Sequence, residues 1–217
     1  MMITKAKLPP SNQPIVYVID DEETVRDALA SLLRSVGLQS QAFGSAKEFL
    51  QFNRPDVPGC LVLDVRLPGM SGLDFQADLA GSDIQLPIVF ISGHADIAMS
   101  VKAMKKGAIE FLTKPFRDQD LLDATSAAIE RDKAERDRGR DKADLFSRFE
   151  TLTLREKEIF ARVSTGLMNK QIAGLLGIQE VTVKVHRGSV MKEMGARSLA
   201  ALVRMADAVI PAKNQVA

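Results

Sequence analysis

The chain has 217 residues, enough for one large domain or two small ones with an adequate core. Its 29 Lys and Arg nearly balance 28 Asp and Glu, and a single cysteine excludes an internal disulfide framework. The start lacks the basic-then-apolar pattern of a signal peptide and no stretch is apolar for long enough to span a bilayer, so the expectation is a cytoplasmic protein without a membrane partner.

In chain order, residues 1–13, with Pro9 and Pro10 among polar neighbours, read as a flexible tail. Residues 14–130 alternate short apolar runs with helix-period segments, five times over. The pattern predicts strands at about 15–20, 38–43, 59–64, 87–92 and 109–113, and helices at about 24–36, 46–52, 72–79, 97–106 and 119–131. That alternation is a doubly wound α/β domain. Gly37, Gly81 and Gly107 each follow a helical segment, where a left-handed residue is favourable. Residues 131–150 are mostly charged residues and alanine and read as a semi-rigid helical linker, with Gly139 as a weak point; a disordered charged tether is the alternative. Residues 151–210 are purely helical. Thr153-Leu154-Arg155-Glu156 is a capping box, and further helices at about 169–176, 180–194 and 198–209 make a four-helix domain containing a helix-turn-helix. Residues 211–217 are a second tail.

Charge is distributed unevenly over these parts. Residues 1–130 carry 12 Lys and Arg against 17 Asp and Glu, residues 131–150 carry 7 against 6, and residues 151–217 carry 10 against 5. An acidic front and a basic back point to a cation or phosphate site in one part and a polyanion partner in the other.

The acidic part carries the chemistry. Asp64 ends the apolar run Cys60 to Leu63, and Asp20 and Asp21 end the first strand. Sites in open parallel sheets lie at the carboxyl ends of strands, so three acids are expected to meet in one crevice. Carboxylate-only clusters suit a hard cation such as Mg2+. Ser92 ends the fourth strand and Lys114 follows the fifth, adding a hydroxyl and an ammonium at the same edge. A nucleophilic carboxylate, a divalent ion and two contacts for phosphoryl oxygens are what an acyl-phosphate needs. Cys60, inside a predicted buried strand, reads as packing. His94 reads as a loop residue and His186 as an inward-facing helix residue, and without further ligands neither supports a zinc site.

With these motifs in view, residues 15–130 resemble the receiver domain of two-component response regulators. The resemblance rests on Asp20-Asp21, on Asp64-x-x-Leu-Pro-Gly-Met-Ser-Gly72, on Ser92-Gly93-His94, and on Phe111-x-x-Lys114-Pro115-Phe116. Residues 150–209 resemble the LuxR-type helix-turn-helix, through Leu152-Thr153-x-Arg155-Glu156, Asn169-Lys170-Gln171-Ile172-Ala173 and Val181 to Arg187. Together they are similar to the FixJ/StyR-like branch. The resemblance implies that Asp64 accepts phosphate from a partner histidine kinase. It also implies that Asp21, Asp64 and the Arg66 carbonyl bind Mg2+, with Asp20 holding a coordinated water. Lys114 would pair with the phosphoryl group across a Lys-Pro bond that is usually cis. Ser92 and Phe111 would be the switch pair. Phosphorylation would drive homodimerisation through the fourth helix and fifth strand, and then binding of promoter DNA, with RNA polymerase as a further partner.

On the predicted helix 180–194, Val183, His186, Val190 and Met194 project to one side, and Lys184, Val185, Gly188 and Lys192 to the other. Thr182 and Ser189 flank one border and Arg187 the other. A small, basic outer face suits a DNA major groove, and Lys170 on the preceding helix adds a candidate phosphate contact. Two other function classes compete. An aspartyl-phosphate phosphatase needs an acid two residues after its nucleophile, where this chain has Arg66; a module binding protein or RNA would lack salt-dependent binding to duplex DNA.

Overall fold

The structure is a computed structural model and describes residues 13–94 and 97–210. The expected tails, residue 13 apart, lie outside the described residues. The chain divides into two compact units, 1–136 and 137–217.

In the first unit the elements run β1 (Ile15–Ile19), α1 (Glu23–Ser35), β2 (Gln39–Phe43), α2 (Ala46–Gln51), β3 (Gly59–Asp64), β4 (Arg66–Leu67), β5 (Met70–Ser71), α3 (Gly72–Ala80), β6 (Ile88–Ser92), α4 (Ile97–Lys105), β7 (Glu110–Thr113) and α5 (Asp118–Thr151). Among the described residues β2, β1, β3, β6 and β7 form one parallel sheet in that order, so β3 is central and is flanked by β1 and β6. Alternation along the strands sends side chains to opposite faces. Tyr17, Ile19, Leu61, Leu63 and Phe90 pack with Phe49, Phe75 and Ala103 from α2, α3 and α4. Val16, Val18, Cys60, Val62 and Ile91 pack on the other face with Leu29 and Leu33 of α1 and Leu121, Ala124 and Ala128 of α5. Both faces are therefore covered, which is why these strands read as continuous apolar runs. Burial pushes the Cys60 thiol up to about 12, consistent with a packing role.

Two local expectations are corrected, and the helical reading of residues 131–150 is borne out as an extension of the fifth helix. Gly37 and Gly107 adopt positive φ, whereas Gly81 has φ −93° and caps α3 without a left-handed turn. The fifth helix does not give way to a separate linker at residue 131. It continues as a 34-residue helix to Thr151, passing Gly139 without a break. A two-stranded hairpin, β4 with β5, follows Asp64 where the sequence pattern shows only a loop. No helix among the described residues is long and apolar enough to cross a membrane.

In the second unit, the C-terminal part of α5 is followed by α6 (Leu154–Ser164), α7 (Asn169–Leu176), α8 (Glu180–Glu193) and α9 (Leu199–Val209). The capping box is present in full. Thr153 Oγ1 accepts from the Glu156 amide at 3.3 Å, and Glu156 Oε2 accepts from the Thr153 amide at 2.9 Å. The core is built from Ile159, Phe160 and Val163 of α6, Ile172 of α7, Val183 and Val190 of α8, and Leu202 and Ala206 of α9. Gly177, at φ +63°, ends α7, and Arg155 donates to the exposed end of that helix at Leu176 O, 3.1 Å away. This fixes the tight joint that delivers α8 onto the core.

Candidate functional site

At the carboxyl edge of the sheet, β3 delivers Asp64 and the loop after β1 delivers Asp20; both are buried. Lys114, after β7, joins them. Its Nζ donates to Asp20 Oδ2 at 2.7 Å and to Asp64 Oδ1 at 3.0 Å. The backbone holds Lys114 in place, because its N–H donates to Ser92 O at 2.8 Å; the peptide that follows, Lys114–Pro115, is cis. Asp64 Oδ2 also accepts from the Arg66 amide at 2.5 Å. Burial pushes the Asp64 carboxyl above its ordinary range, against the pull of the Lys114 and Arg66 hydrogen bonds. Burial alone would lower the Lys114 ammonium, but its bonds and charge pairing with Asp20 and Asp64 outweigh this and raise it.

The third acid departs from expectation. Asp21 is exposed, and among the described residues no set of three His, Cys, Asp or Glu is close enough to hold a metal as arranged. Consecutive residues leaving a strand point to opposite sides, so Asp20 turns in to Lys114 while Asp21 faces solvent. Arg26 fixes this loop, donating from Nη1 to the carbonyls of Asp20 at 2.8 Å and Asp21 at 2.9 Å. The donors nevertheless fit a hard dication in kind: the buried carboxylates of Asp20 and Asp64, the solvent-facing carboxylate of Asp21 next in the chain, and the Arg66 carbonyl. One ammonium leaves net negative charge for such an ion to neutralise.

Ser92 is fully buried at the end of β6, one residue past Ile91, the register partner of Asp64. Its hydroxyl does not point freely to the acids, for it donates to His94 O at 3.1 Å and accepts from the His94 amide at 3.3 Å. Phe111 is half-buried on β7 and lies against Phe90, with ring centroids 6.0 Å apart. His94 itself is exposed.

Sequence reasoning missed the roles of Arg26 and Gly72. A Cβ at Gly72 would sit 2.4 Å from Asp64 O and 3.1 Å from Val65 Cα, so only glycine lets α3 start this close to the backbone that follows β3. The Gly72 amide donates to Val65 O at 2.9 Å, closing that approach. Gly72→Ala is expected to cost about 3 kcal/mol of receiver stability by overpacking against backbone. Chemical denaturation with an unchanged midpoint would contradict this account.

The second candidate surface lies on α8. Val183, Val190 and Met194 are fully buried and His186 half-buried, while Lys184, Val185, Gly188 and Lys192 are exposed, as the helical projection requires. Thr182 and Ser189 are half-buried at the border, and Lys170 on α7 is exposed. Arg187 has a protein partner that the pattern did not reveal. Its Nη1 donates to Asn169 Oδ1 at 3.0 Å, bridging α8 to the first turn of α7. An asparagine at a helix start reads as a cap from sequence, which is why this bridge was not legible.

Comparison with known proteins bears on both parts. Residues 16–126 match the response regulator receiver domain, and residues 150–206 match the LuxR family of bacterial regulatory proteins. The chain is 58% identical over 197 residues to nodulation protein W of Bradyrhizobium diazoefficiens, spanning 91% of this chain and 87% of that protein. It is 43% identical over 192 residues to the transcriptional regulatory protein FixJ of Rhizobium meliloti, spanning 88% and 94%. Among solved structures it resembles the response regulator StyR, with 49% identity and a TM-score of 0.78 over 89% of this chain and 98% of that one. A buried Asp–Lys–Asp constellation at the sheet edge and a basic-faced helix after a tight turn thus occur in a chain that belongs to the response regulators joining a receiver domain to a LuxR-type helix-turn-helix.

Proposed function

We propose that Asp64 accepts a phosphoryl group from a partner histidine kinase in the cytoplasm, and that the phosphorylated chain dimerises and binds promoter DNA to regulate transcription. The observation that carries this reading is the single ammonium of Lys114 shared between the buried carboxylates of Asp20 and Asp64 at 2.7 and 3.0 Å. An Asp64 oxygen attacks phosphorus, the bond to the donor nitrogen breaks, and its electron pair leaves with the kinase imidazole. Mg2+, held by Asp20, Asp21, Asp64 and the Arg66 carbonyl, would supply charge neutralisation on the phosphoryl oxygens. Lys114 is already within reach of Asp64, so it orients the carboxylate first and pairs with the phosphoryl group afterwards.

Ser92 and Phe111 carry the switch. The phosphoryl oxygens offer the Ser92 hydroxyl a charged acceptor in place of the neutral His94 carbonyl, and charge-assisted hydrogen bonds are the stronger kind. Leaving His94 releases that residue's backbone at the end of β6, and Phe111, half-buried against Phe90 on the adjacent strand, is the side chain placed to respond. A ligand shifts such an equilibrium only through this difference between states. The test is mass and DNA binding measured with and without acetyl phosphate and Mg2+; binding that ignores the phosphodonor overturns the reading.

For the output domain, exposed Lys184, Val185, Gly188 and Lys192 face the bases, while Lys170, Thr182 and Ser189 lie toward the phosphates. Arg187, bonded to Asn169, combines a phosphate contact with fixing the angle between α7 and α8. Lys184→Ala is expected to cost about 1–3 kcal/mol at the specific site and to flatten sequence preference. Fluorescence anisotropy on specific and scrambled duplexes separates the cases, since equal losses on both would make Lys184 a phosphate contact only.

A further inference from the structure

Two of the buried acids belong to the phosphoryl site; Asp132 does not. It lies on α5, only 2% exposed, in a stretch otherwise made of solvated charge. Its Oδ2 accepts from the Gly59 amide at 2.9 Å and from Arg136 Nε at 2.7 Å, and Arg136 Nη1 also pairs with Asp56. Gly59 begins β3, the strand whose other end is Asp64. A Cβ at Gly59 would lie 2.5 Å from Ile15 O, so the backbone there is packed too closely to shift. Without the Asp132 carboxylate the Gly59 N–H would be buried and unpaired, a costly arrangement.

One turn further on, the helix changes character. From residue 137 to residue 144 every side chain is exposed, and Gly139 lies among them. Leu145 and Phe149 then pack on the core of the second unit. The division between the compact units falls between Arg136 and Asp137, immediately after the last of these anchors.

We propose that Asp132 and Arg136 form a latch that makes residues 131–136 a fixed part of the receiver and confines bending of α5 to residues 137–144. A helix without tertiary contacts is held only by its own hydrogen bonds and frays at low cost, whereas one tied to a central strand opens only with that strand. The latch therefore sets where the receiver ends mechanically. Because it grips the far end of β3, it also gives any displacement of the phosphoacceptor strand a direct connection to the helix leading to the DNA-binding unit. This last step rests on Asp64 being the phosphoacceptor; the anchoring does not.

Hydrogen exchange on the full chain tests the anchoring. Amides of 131–136 are expected to exchange at rates like those of 121–129, and those of 138–144 at least about tenfold faster. Arg136→Ala is expected to accelerate 131–136 and the Gly59 amide about tenfold, leaving α1 unchanged. Equal rates for 131–136 and 138–144 in the unaltered protein, no acceleration in Arg136→Ala, or acceleration spread evenly over the receiver would overturn the latch. In a second arm, Arg136→Ala is phosphorylated normally but loses most of the phosphorylation-dependent gain in DNA affinity. An unchanged gain overturns the signalling half of the proposal. Failure of the unaltered protein to be phosphorylated would instead count against the Asp64 reading, with the exchange result standing on its own.

Discussion

Asp64→Ala is expected to abolish covalent phosphorylation completely while leaving the receiver folded. The carboxylate is the only part of the side chain the chemistry uses, and its removal does not strand Lys114, which keeps Asp20 at 2.7 Å. Intact-mass measurement after incubation with acetyl phosphate and Mg2+ reads the result; phosphate on the variant would sink the assignment. The raised Asp64 carboxyl adds a pH signature. Attack needs the ionised form, so the phosphorylation rate falls with decreasing pH, beginning above the ordinary carboxylate range. Lys114→Ala removes a hydrogen bond and a positive charge that pull the carboxyl down, and this moves the midpoint to higher pH. The same shift has a sign for stability. A carboxyl raised on folding favours the folded state below its unfolded pKa and loses that contribution as the pH rises through the folded value. Asp64→Asn is therefore expected to raise Tm at neutral pH.

The interior strands β1, β3 and β6 were legible because they are buried on both faces, which writes each as an apolar run, whereas the edge strands β2 and β7 are partly exposed and carry polar residues. β3 matches its expected bounds, 59–64, and the others differ by about a residue at their ends. The grouping of the candidate site was legible in part for the same reason: Asp20, Asp64 and Ser92 follow or end such runs, Lys114 follows the edge strand β7, and parallel topology gathers strand ends at one edge. What escaped lacks a hydrophobic signature. The union of the fifth helix with the charged segment depends on Asp132, a carboxylate buried through hydrogen bonds that no periodicity records. The exposed position of Asp21 depends on Arg26 gripping two carbonyls, and the Arg187–Asn169 bridge joins residues on different helices. The β4–β5 hairpin turns at Gly69, φ +80°, between strands of two residues each, too short to show alternation.

Met104→Glu is expected to leave Asp64 phosphorylation intact and to weaken binding to a paired half-site operator by about a hundredfold or more. The argument begins with exposure on α4. Ile97, Val101 and Met104 stand at i, i+4 and i+7 and are 83%, 44% and 43% exposed, while Ala103 is fully buried beneath them. α4 packs beside β7, the edge strand carrying Phe111, with Lys102 and Lys105 on α4 and Glu110 on β7 supplying opposite charges at its border. A second copy presents the same stripe and the same charges, and a two-fold axis lets them satisfy each other. The proposed switch residues adjoin this face, since Ser92 ends β6 and Phe111 lies on β7, its neighbour in the sheet. In the proposed dimer two helix-turn-helix units would be joined, so that the second half-site would be bound at the effective concentration set by the connecting helix instead of from bulk solution. Met104→Glu would bring a charge into the proposed interface on each copy and desolvate it there, which would remove the pairing without touching Asp20 or Asp64. Sedimentation of the phosphorylated variant as a monomer, with affinity for a single half-site unchanged, is the expected outcome. If the phosphorylated unaltered protein sediments as a monomer on the paired operator with full affinity, dimerisation through this face is not how the signal reaches DNA.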